Sequence, residues 1–417
     1  VQYKTNLASS GCLLVISLAL SVIPIQAIAA NSAMMELIEI LNSKGSITPA
    51  EYQLLKNAAM ADQEQAEAAE TEIKQDFTNE MAVVTKSMDD VSWASKINLK
   101  GDIRLRYQGQ KNDPGIGRNR GRLRYRLGVI AQPTSGWEVG AGLASGSSDL
   151  RSTNQTFDGT FSTKGINLDY AYAQYIFNDN FKAVGGKLKR SAYLYAASDL
   201  LWDGDINPEG FSTNYTHNSE MGTTFANSGL WVLEEDSNIS NSPLMIYAQL
   251  GQNFGSENLF GTLAGTYYSF EDNTALGSFT TEGSNSDFNF GGIIGISGEI
   301  GLKDVFGNGI KTSIIADWLS NGDTVTDEDN GYLIGIKASK GLWSLAYSFA
   351  DLQQNAWPDT FPDSDRFDGL TGIKGHEIAF SYKIMQNVAI GIDYYAVKSD
   401  VINEDQDLLQ LDLNVSF

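Results

Sequence analysis

From about residue 97 to the end of the chain, apolar and polar side chains alternate in segment after segment. Ile97, Leu99, Ile103, Leu105 and Tyr107 share one parity, and Lys100, Asp102, Arg104 and Arg106 the other. The next segment sets Leu123, Tyr125, Leu127 and Val129 against Arg120, Arg122, Arg124 and Arg126. The last sets Leu409, Leu411, Leu413, Val415 and Phe417 against Gln410, Asp412, Asn414 and Ser416. A period of two marks extended strands with one face in an apolar medium and the other in water. Comparable segments start near residues 136, 166, 181, 222, 243, 258, 287, 309, 331, 342, 374, 387 and 405, fifteen with the first two.

The connectors decide what kind of sheet this is. Tight ones at Pro133–Ser135, Asn178–Asn180, Asn253–Glu257, Lys303–Asn308, Lys340–Gly341 and Gln386–Asn387 alternate with long ones at 147–164, 235–242, 271–286, 320–330, 352–373 and 399–405. Single-chain bacterial barrels have an even strand number, with short periplasmic turns and longer outer loops. Counts from the two ends disagree only over 190–221, and one more strand, Gly210 to His217, removes the conflict. The expected fold is all-β: a transmembrane antiparallel β-barrel of about 16 strands over residues 93–417, with 14 and 18 as neighbouring counts. About 16 strands can enclose an aqueous lumen without a plug.

Residues 31–92 read differently, as a helical periplasmic segment rich in Ala, Glu, Gln and Met. Met34 to Leu41 suits a short helix ended by Gly45, and Thr48-Pro49-Ala50-Glu51 has capping-box spacing with proline first in the helix. Phe77, Met81, Val84, Met88 and Val91 form a heptad seam that fits either a short coiled coil or a single helix on the barrel rim. Residues 1–30 read as a signal peptide: Lys4, an apolar core from Cys12 to Ile25, and a small-residue cleavage site at Ala27-Ile28-Ala29. Cys12, the only cysteine, precedes the end of that core, so a processed chain would carry no disulfide.

Mean hydropathy is −0.21, which alternation explains without a soluble fold. The 41 glycines, 18 tyrosines and 19 phenylalanines against 8 prolines suit twisted sheet with aromatic rims. Trp137, Tyr170, Tyr172, Trp231, Tyr267, Trp318, Tyr332, Trp343, Tyr347, Tyr382 and Tyr394 are the expected girdle. A net charge of −22 argues against nucleic acid as partner. The acids of 323–329 and 359–368 fit outer loops, where divalent cations could bridge them to lipopolysaccharide.

Seven of the ten arginines lie between residues 104 and 126. Arg104, Arg106, Arg120, Arg122, Arg124 and Arg126 share the polar face of two adjacent strands, while Arg118 reads as a loop residue. Water in a lumen solvates such a wall, which would attract anions; pairing with Asp102, Glu138 and other lumen acids is the structural alternative. Opposite it, the third outer loop, 190–209, carries Asp199, Asp203, Asp205 and Glu209 with Trp202, Tyr193 and Tyr195, and Phe211 follows. An outer-membrane lipase or protease would need a nucleophile beside a base. The two histidines, His217 and His376, read as rim residues, and neither a Gly-x-Ser-x-Gly elbow nor a His-Glu-x-x-His metal site is present. No enzyme, metal or cofactor is expected.

The stretch Gly186-Lys187-Leu188-Lys189-Arg190, followed by Asp199-Leu200-Leu201-Trp202-Asp203-Gly204-Asp205-Ile206-Asn207-Pro208-Glu209-Gly210, resembles the bacterial putative-porin family, as do the helical segment and the strands to Phe417. The terminal phenylalanine is similar to the insertion signal of outer-membrane barrels. The resemblance implies a homotrimeric outer-membrane channel of Gram-negative bacteria passing small hydrophilic solutes and ions. By analogy with general porins, the third loop folds inward and faces the basic wall. A solute-specific anion channel and a closed structural or adhesive barrel anchoring the envelope are the alternatives.

Overall fold

A computed structural model describes residues 34–90, 96–235, 242–271, 283–305 and 307–417. The signal-peptide region 1–30 and Val91 of the heptad seam lie outside these residues. The chain divides into a helical unit and a barrel unit that begins at Lys96.

In the helical unit, α1 (34–43) ends at Gly45, whose φ of 66° lets Ser46 N–H turn back to the Leu41 carbonyl. Helix α2 (Pro49–Asp90) starts at the expected capping box. Thr48 N–H donates to Glu51 Oε2 at 2.7 Å, and Glu51 N–H to Thr48 Oγ1 at 3.3 Å. The Thr48 N–H and hydroxyl, both donating to it, hold the Glu51 carboxyl below its usual range. Ile38 and Ala59 are buried, whereas Leu54, Met60 and Ile73 stay exposed along the 42-residue α2.

The barrel unit closes as 16 antiparallel strands. They are β1 (Ile97–Asp113), β2 (Arg118–Ala131), β3 (Trp137–Ser145), β4 (Ile166–Asn178), β5 (Phe181–Lys187), β6 (Glu209–Ser219), β7 (Gly222–Val232) and β8 (Leu244–Gly255). The second half comprises β9 (Leu259–Glu271), β10 (Ile293–Val305), β11 (Ile310–Asn321), β12 (Asn330–Lys340), β13 (Trp343–Leu352), β14 (Ile373–Met385), β15 (Val388–Ser399) and β16 (Glu404–Ser416). Each pairs with its sequence neighbours, and β1 also pairs with β16, from Asp102↔Ser416 to Asp113↔Asp405. The Gly101 and Phe417 backbones exchange two hydrogen bonds of 2.9 Å at that seam. The strand expected at Gly210–His217 is β6.

Three boundaries differ from expectation. Arg118 opens β2 opposite Gln110 rather than lying in a loop. The strand expected from about 287 begins at Ile293, because Phe290 leaves the wall and is buried inside. The 146–165 loop contributes a two-residue strand, Gln155–Thr156, which pairs with Arg122 and Leu123 where β2 outruns β3.

One face of the wall is apolar and exposed: Leu105, Leu250, Leu263, Ile296, Ile314, Ile334, Ile392 and Leu411 all point away from the lumen. Such a continuous band is untenable in water and is what a bilayer requires. The opposite face buries Arg106, Gln108, Gln249, Asp317, Ser348, Gln410 and Asp412. Trp137, Tyr267, Trp318, Tyr332, Tyr347, Tyr382 and Tyr394 are exposed outward, consistent with girdles. Tyr170 and Trp231 are instead buried in the lumen, since their parity points inward. His376 faces outward and shares a 2.8 Å hydrogen bond with the Tyr347 hydroxyl.

Long connectors cluster at one end of the barrel and tight turns at the other. The 188–208 connector, the third on the long-loop end, leaves β5 and enters β6 through a glycine pair. Gly186 and Gly210 sit directly opposite one another, at φ 118° and 146°. A methyl at either would overlap a neighbouring strand's carbonyl oxygen, Ala171 or Leu230 respectively. Gly186→Ala and Gly210→Ala should therefore each lower stability by about 1–3 kcal/mol, read as a shift in the urea midpoint of the refolded barrel.

Candidate functional site

The lumen wall acquires its charge from the register of β1 on β2. Asp102↔Arg126, Arg104↔Arg124, Arg106↔Arg122 and Gln108↔Arg120 stand opposite one another, so all six expected arginines share one face. Like charges in directly opposed pairs are destabilising, and carboxylates intervene. Asp102 accepts from Arg124 Nη2 and Arg126 Nε, both at 2.8 Å. Asp412 on β16 takes Arg106 in a two-point grip, Nε at 2.7 Å and Nη2 at 2.8 Å, with Arg104 Nη1 at 3.8 Å. Planar guanidinium and carboxylate groups match in this geometry. Glu138, the other acid expected to pair here, instead accepts from the Tyr172 hydroxyl at 3.0 Å.

Loops complete the set. Asp365 approaches Arg106 at 3.4 Å and Asp205 approaches Arg126 at 3.4 Å. Asn154 accepts from Arg104 at 2.7 Å, and Ser152 from Arg122 at 3.2 Å.

The third loop crosses the lumen. Tyr195 exchanges hydrogen bonds of 2.9 Å with Gln249 on β8. Ala197 N–H and the Ser198 hydroxyl donate to Asp317 on β11. Trp202, 2% exposed, lies against Trp357, Phe361 and Trp231, with ring centroids 5.3, 4.9 and 5.6 Å away. Such aromatic contacts contribute beyond the area they bury. The backbone joins the same partners: Asp203 N–H donates to the Phe361 carbonyl and Trp357 Nε1–H to the Leu201 carbonyl, each at 2.8 Å. The 353–372 loop is thus a second inward element. It is joined in turn to residues 284–285, whose backbone N–H groups donate to Asp359 at 2.8 and 3.3 Å.

The four acids expected to form a constriction separate. Asp205 alone reaches the arginine wall. Asp199 lies 3.6 Å from Arg366, and Asp203 is buried, accepting from the backbone N–H of Ser364 at 3.0 Å and of Asp205 at 2.9 Å. Glu209 is the first residue of β6, on its outward parity, and pairs with Lys187 at 3.1 Å. Asp365, which also meets the wall, was not among the expected site residues. The apolar residues Trp357, Phe361 and Phe367 inside an acidic connector are the signal that this loop folds inward.

Two spaces in the barrel are lined by charged side chains. A cavity of about 310 Å³ between the third loop and strands β1–β4 is lined by Lys100, Asp102, Arg126, Lys189 and Asp205. Another, of about 360 Å³, is lined by Glu299, Lys311, Lys337, Asp393 and Asp412. No group of three or more histidine, cysteine or acidic side chains is placed to hold a metal among the described residues.

A sequence family described as “putative porin” matches residues 112–290 and 311–417, well over half of the chain. The chain belongs to this porin family. No curated protein matches it. Among solved structures, the porin is similar to OprB of Pseudomonas putida at 10% identity and a TM-score of 0.55, over 79% of this chain and 96% of that one. A mutant of Rhodopseudomonas blastica porin aligns at 12% identity and a TM-score of 0.46, over 77% and 100% of the two chains. The family and the closed barrel place this porin in an outer membrane.

Within the porin's insert, burial pushes the Asp203 carboxyl up to about 7, reinforced by the nearby Asp205 and Asp365 and opposed by its two N–H donors. Burial and the neighbouring Asp199, Asp365 and Asp203 also raise Asp363. A carboxyl raised in the folded state binds a proton that the unfolded chain has already released. Stability therefore falls as pH rises from the ordinary carboxylate range to about 7, and the loss is complete above it. Thermal unfolding of the refolded porin should show a lower midpoint at pH 8 than at pH 5. Asp203→Asn should flatten that difference.

Proposed function

We propose that this porin lets small hydrophilic solutes and ions diffuse passively through its lumen, past the arginine wall of β1 and β2 and the acidic groups of the inserted loops. The observation carrying this is the juxtaposition of Asp205 and Asp365, on two different loops, with Arg126 and Arg106 on the wall. Arginines and carboxylates set side by side along an aqueous lumen give it a field directed from the wall toward the loops. A dipolar solute aligns in it, an anion follows the basic side, and a bulky apolar solute gains nothing for the water it must shed. Selection is then by width and field, with no bond made or broken and no cofactor involved.

The remaining features fit the same reading. In this reading the 31–92 helical segment is periplasmic, which the short turns at the end where β1 starts support. The apolar wall faces lipid, acidic loops meet lipopolysaccharide through divalent cations, and three copies associate as a trimer. One observation favours a second reading, a closed structural barrel: Arg104, Arg106, Arg124 and Arg126 all have carboxylate partners, as an occluded lumen would demand.

Single-channel recording in a planar bilayer under a salt gradient separates the two. Discrete, stable conductance steps are expected. Arg122→Ala with Arg124→Ala should lower the anion-to-cation permeability ratio by about threefold or more, seen as a shift in reversal potential. A correctly folded barrel that never conducts would establish the closed alternative.

A further inference from the structure

The inward arginines of β1 and β2 are unequally compensated. Arg104, Arg106, Arg124 and Arg126 each have a carboxylate within 4.0 Å; Arg120 and Arg122 have none among the described residues. Arg122 spends its hydrogen bonds on neutral acceptors, Gln108 Oε1 at 3.0 Å and Ser152 Oγ at 3.2 Å. The Nε–H groups of both Arg120 and Arg122 are buried without an acceptor. A shielded guanidinium with neither counter-charge nor full hydrogen bonding is costly unless an anion supplies both.

The nearest acids, Asp365 and Asp368, both stay beyond 4.0 Å of this pair. Asp365 is held by Arg106 at 3.4 Å and by Gln410 Nε2 at 2.7 Å. Asp368 receives only long contacts of 3.5 Å from Gln110 and Gln406. Arg118, at the mouth of the same strand and on the same parity, adds a third cation without a carboxylate within 4.0 Å. The positions of Arg120 and Arg122 are two residues apart along β2, about 7 Å. Arg120 lies one pair nearer the long-loop end than any compensated arginine, and Arg122 stands level with Arg106 across the β1–β2 ladder.

We propose that Arg120 and Arg122 form a binding subsite for a small oxyanion bearing at least two charges, the class to which phosphate and short dicarboxylates belong. Two guanidinium groups present planar forks of N–H donors that match the paired oxygens of such an ion, while chloride offers no oxygens to grip. Gln108 and Ser152 orient Arg122 without cancelling its charge. The subsite would raise the local concentration of polyvalent oxyanions at the mouth of the passage and tune the channel beyond a general preference for anions. It rests on the diffusion reading only for the ion's onward route.

Equilibrium dialysis of the refolded full-length chain in detergent, with inorganic phosphate as probe and chloride in excess, tests the site independently of conduction. Saturable binding is expected, weakened about tenfold or more by Arg120→Gln with Arg122→Gln. Lys374→Gln on the outward rim should leave it unchanged. If the double variant does not fold, each single change should weaken binding, and Arg122→Lys should retain part of it. No saturable binding by folded wild type, or equal binding by the folded double or single variants, would overturn the subsite. Phosphate titrated into a bilayer recording then separates the two proposals. Chloride current without phosphate binding removes the subsite and keeps the channel; phosphate binding without current removes the channel and keeps the subsite.

Discussion

Every other feature of this porin depends on the pairing of its first strand with its last. In hydrocarbon an unpaired backbone N–H or carbonyl costs several kcal/mol, so a sheet can lie in a membrane only if it has no edge. The β1–β16 ladder and the terminal exchange between Gly101 and Phe417 remove both edges at once. Closure then fixes parity around the whole ring, because a strand face is either lipid or lumen. The exposed leucines and isoleucines and the buried polar side chains are two consequences of that one constraint.

Parity is also why so much of the wall is legible in the sequence. Alternation located the strands, the even-number rule exposed the missing one at Gly210–His217, and the arginines of β1 and β2 came out on one face. The failures occur where parity ceases to apply. Phe290 reads as a strand residue because it is apolar, yet it belongs to a loop whose side chains pack inside the barrel. Trp231 and Tyr170 resemble girdle aromatics in type, and only their inward parity reveals that they meet the insert. The four acids near Trp202 look equivalent in sequence. A loop has no periodicity to distinguish Asp205, which reaches the wall, from Asp203, buried beside Ser364 and Phe361, or from Glu209, already on the next strand.

The insert is a small folded body in its own right. Its centre is a cluster of Trp202, Trp357 and Phe361, and the cluster is completed by Trp231, Tyr268 and Phe270 from the barrel wall. An apolar core inside an otherwise hydrophilic lumen places water-excluding packing on one side and charged groups on the other. That asymmetry leaves the charged groups toward β1 and β2, where the arginines and their loop partners Asp205 and Asp365 stand. Rigidity on the aromatic side gives those two carboxylates fixed positions opposite the wall.

The grip of Asp412 on Arg106 carries a meaning beyond lumen charge, since it spans the seam between the first and last strands. Were β16 to slip by one residue during assembly, its whole leucine row would turn into water and Asp412 would be pressed into lipid. Arg106 would at the same time lose its two-point partner. A mis-registered ring therefore fails on both surfaces simultaneously, through exposed hydrocarbon on one and a stranded ion pair on the other. The ion pair acts as a molecular key that only the correct alignment of first and last strands can turn.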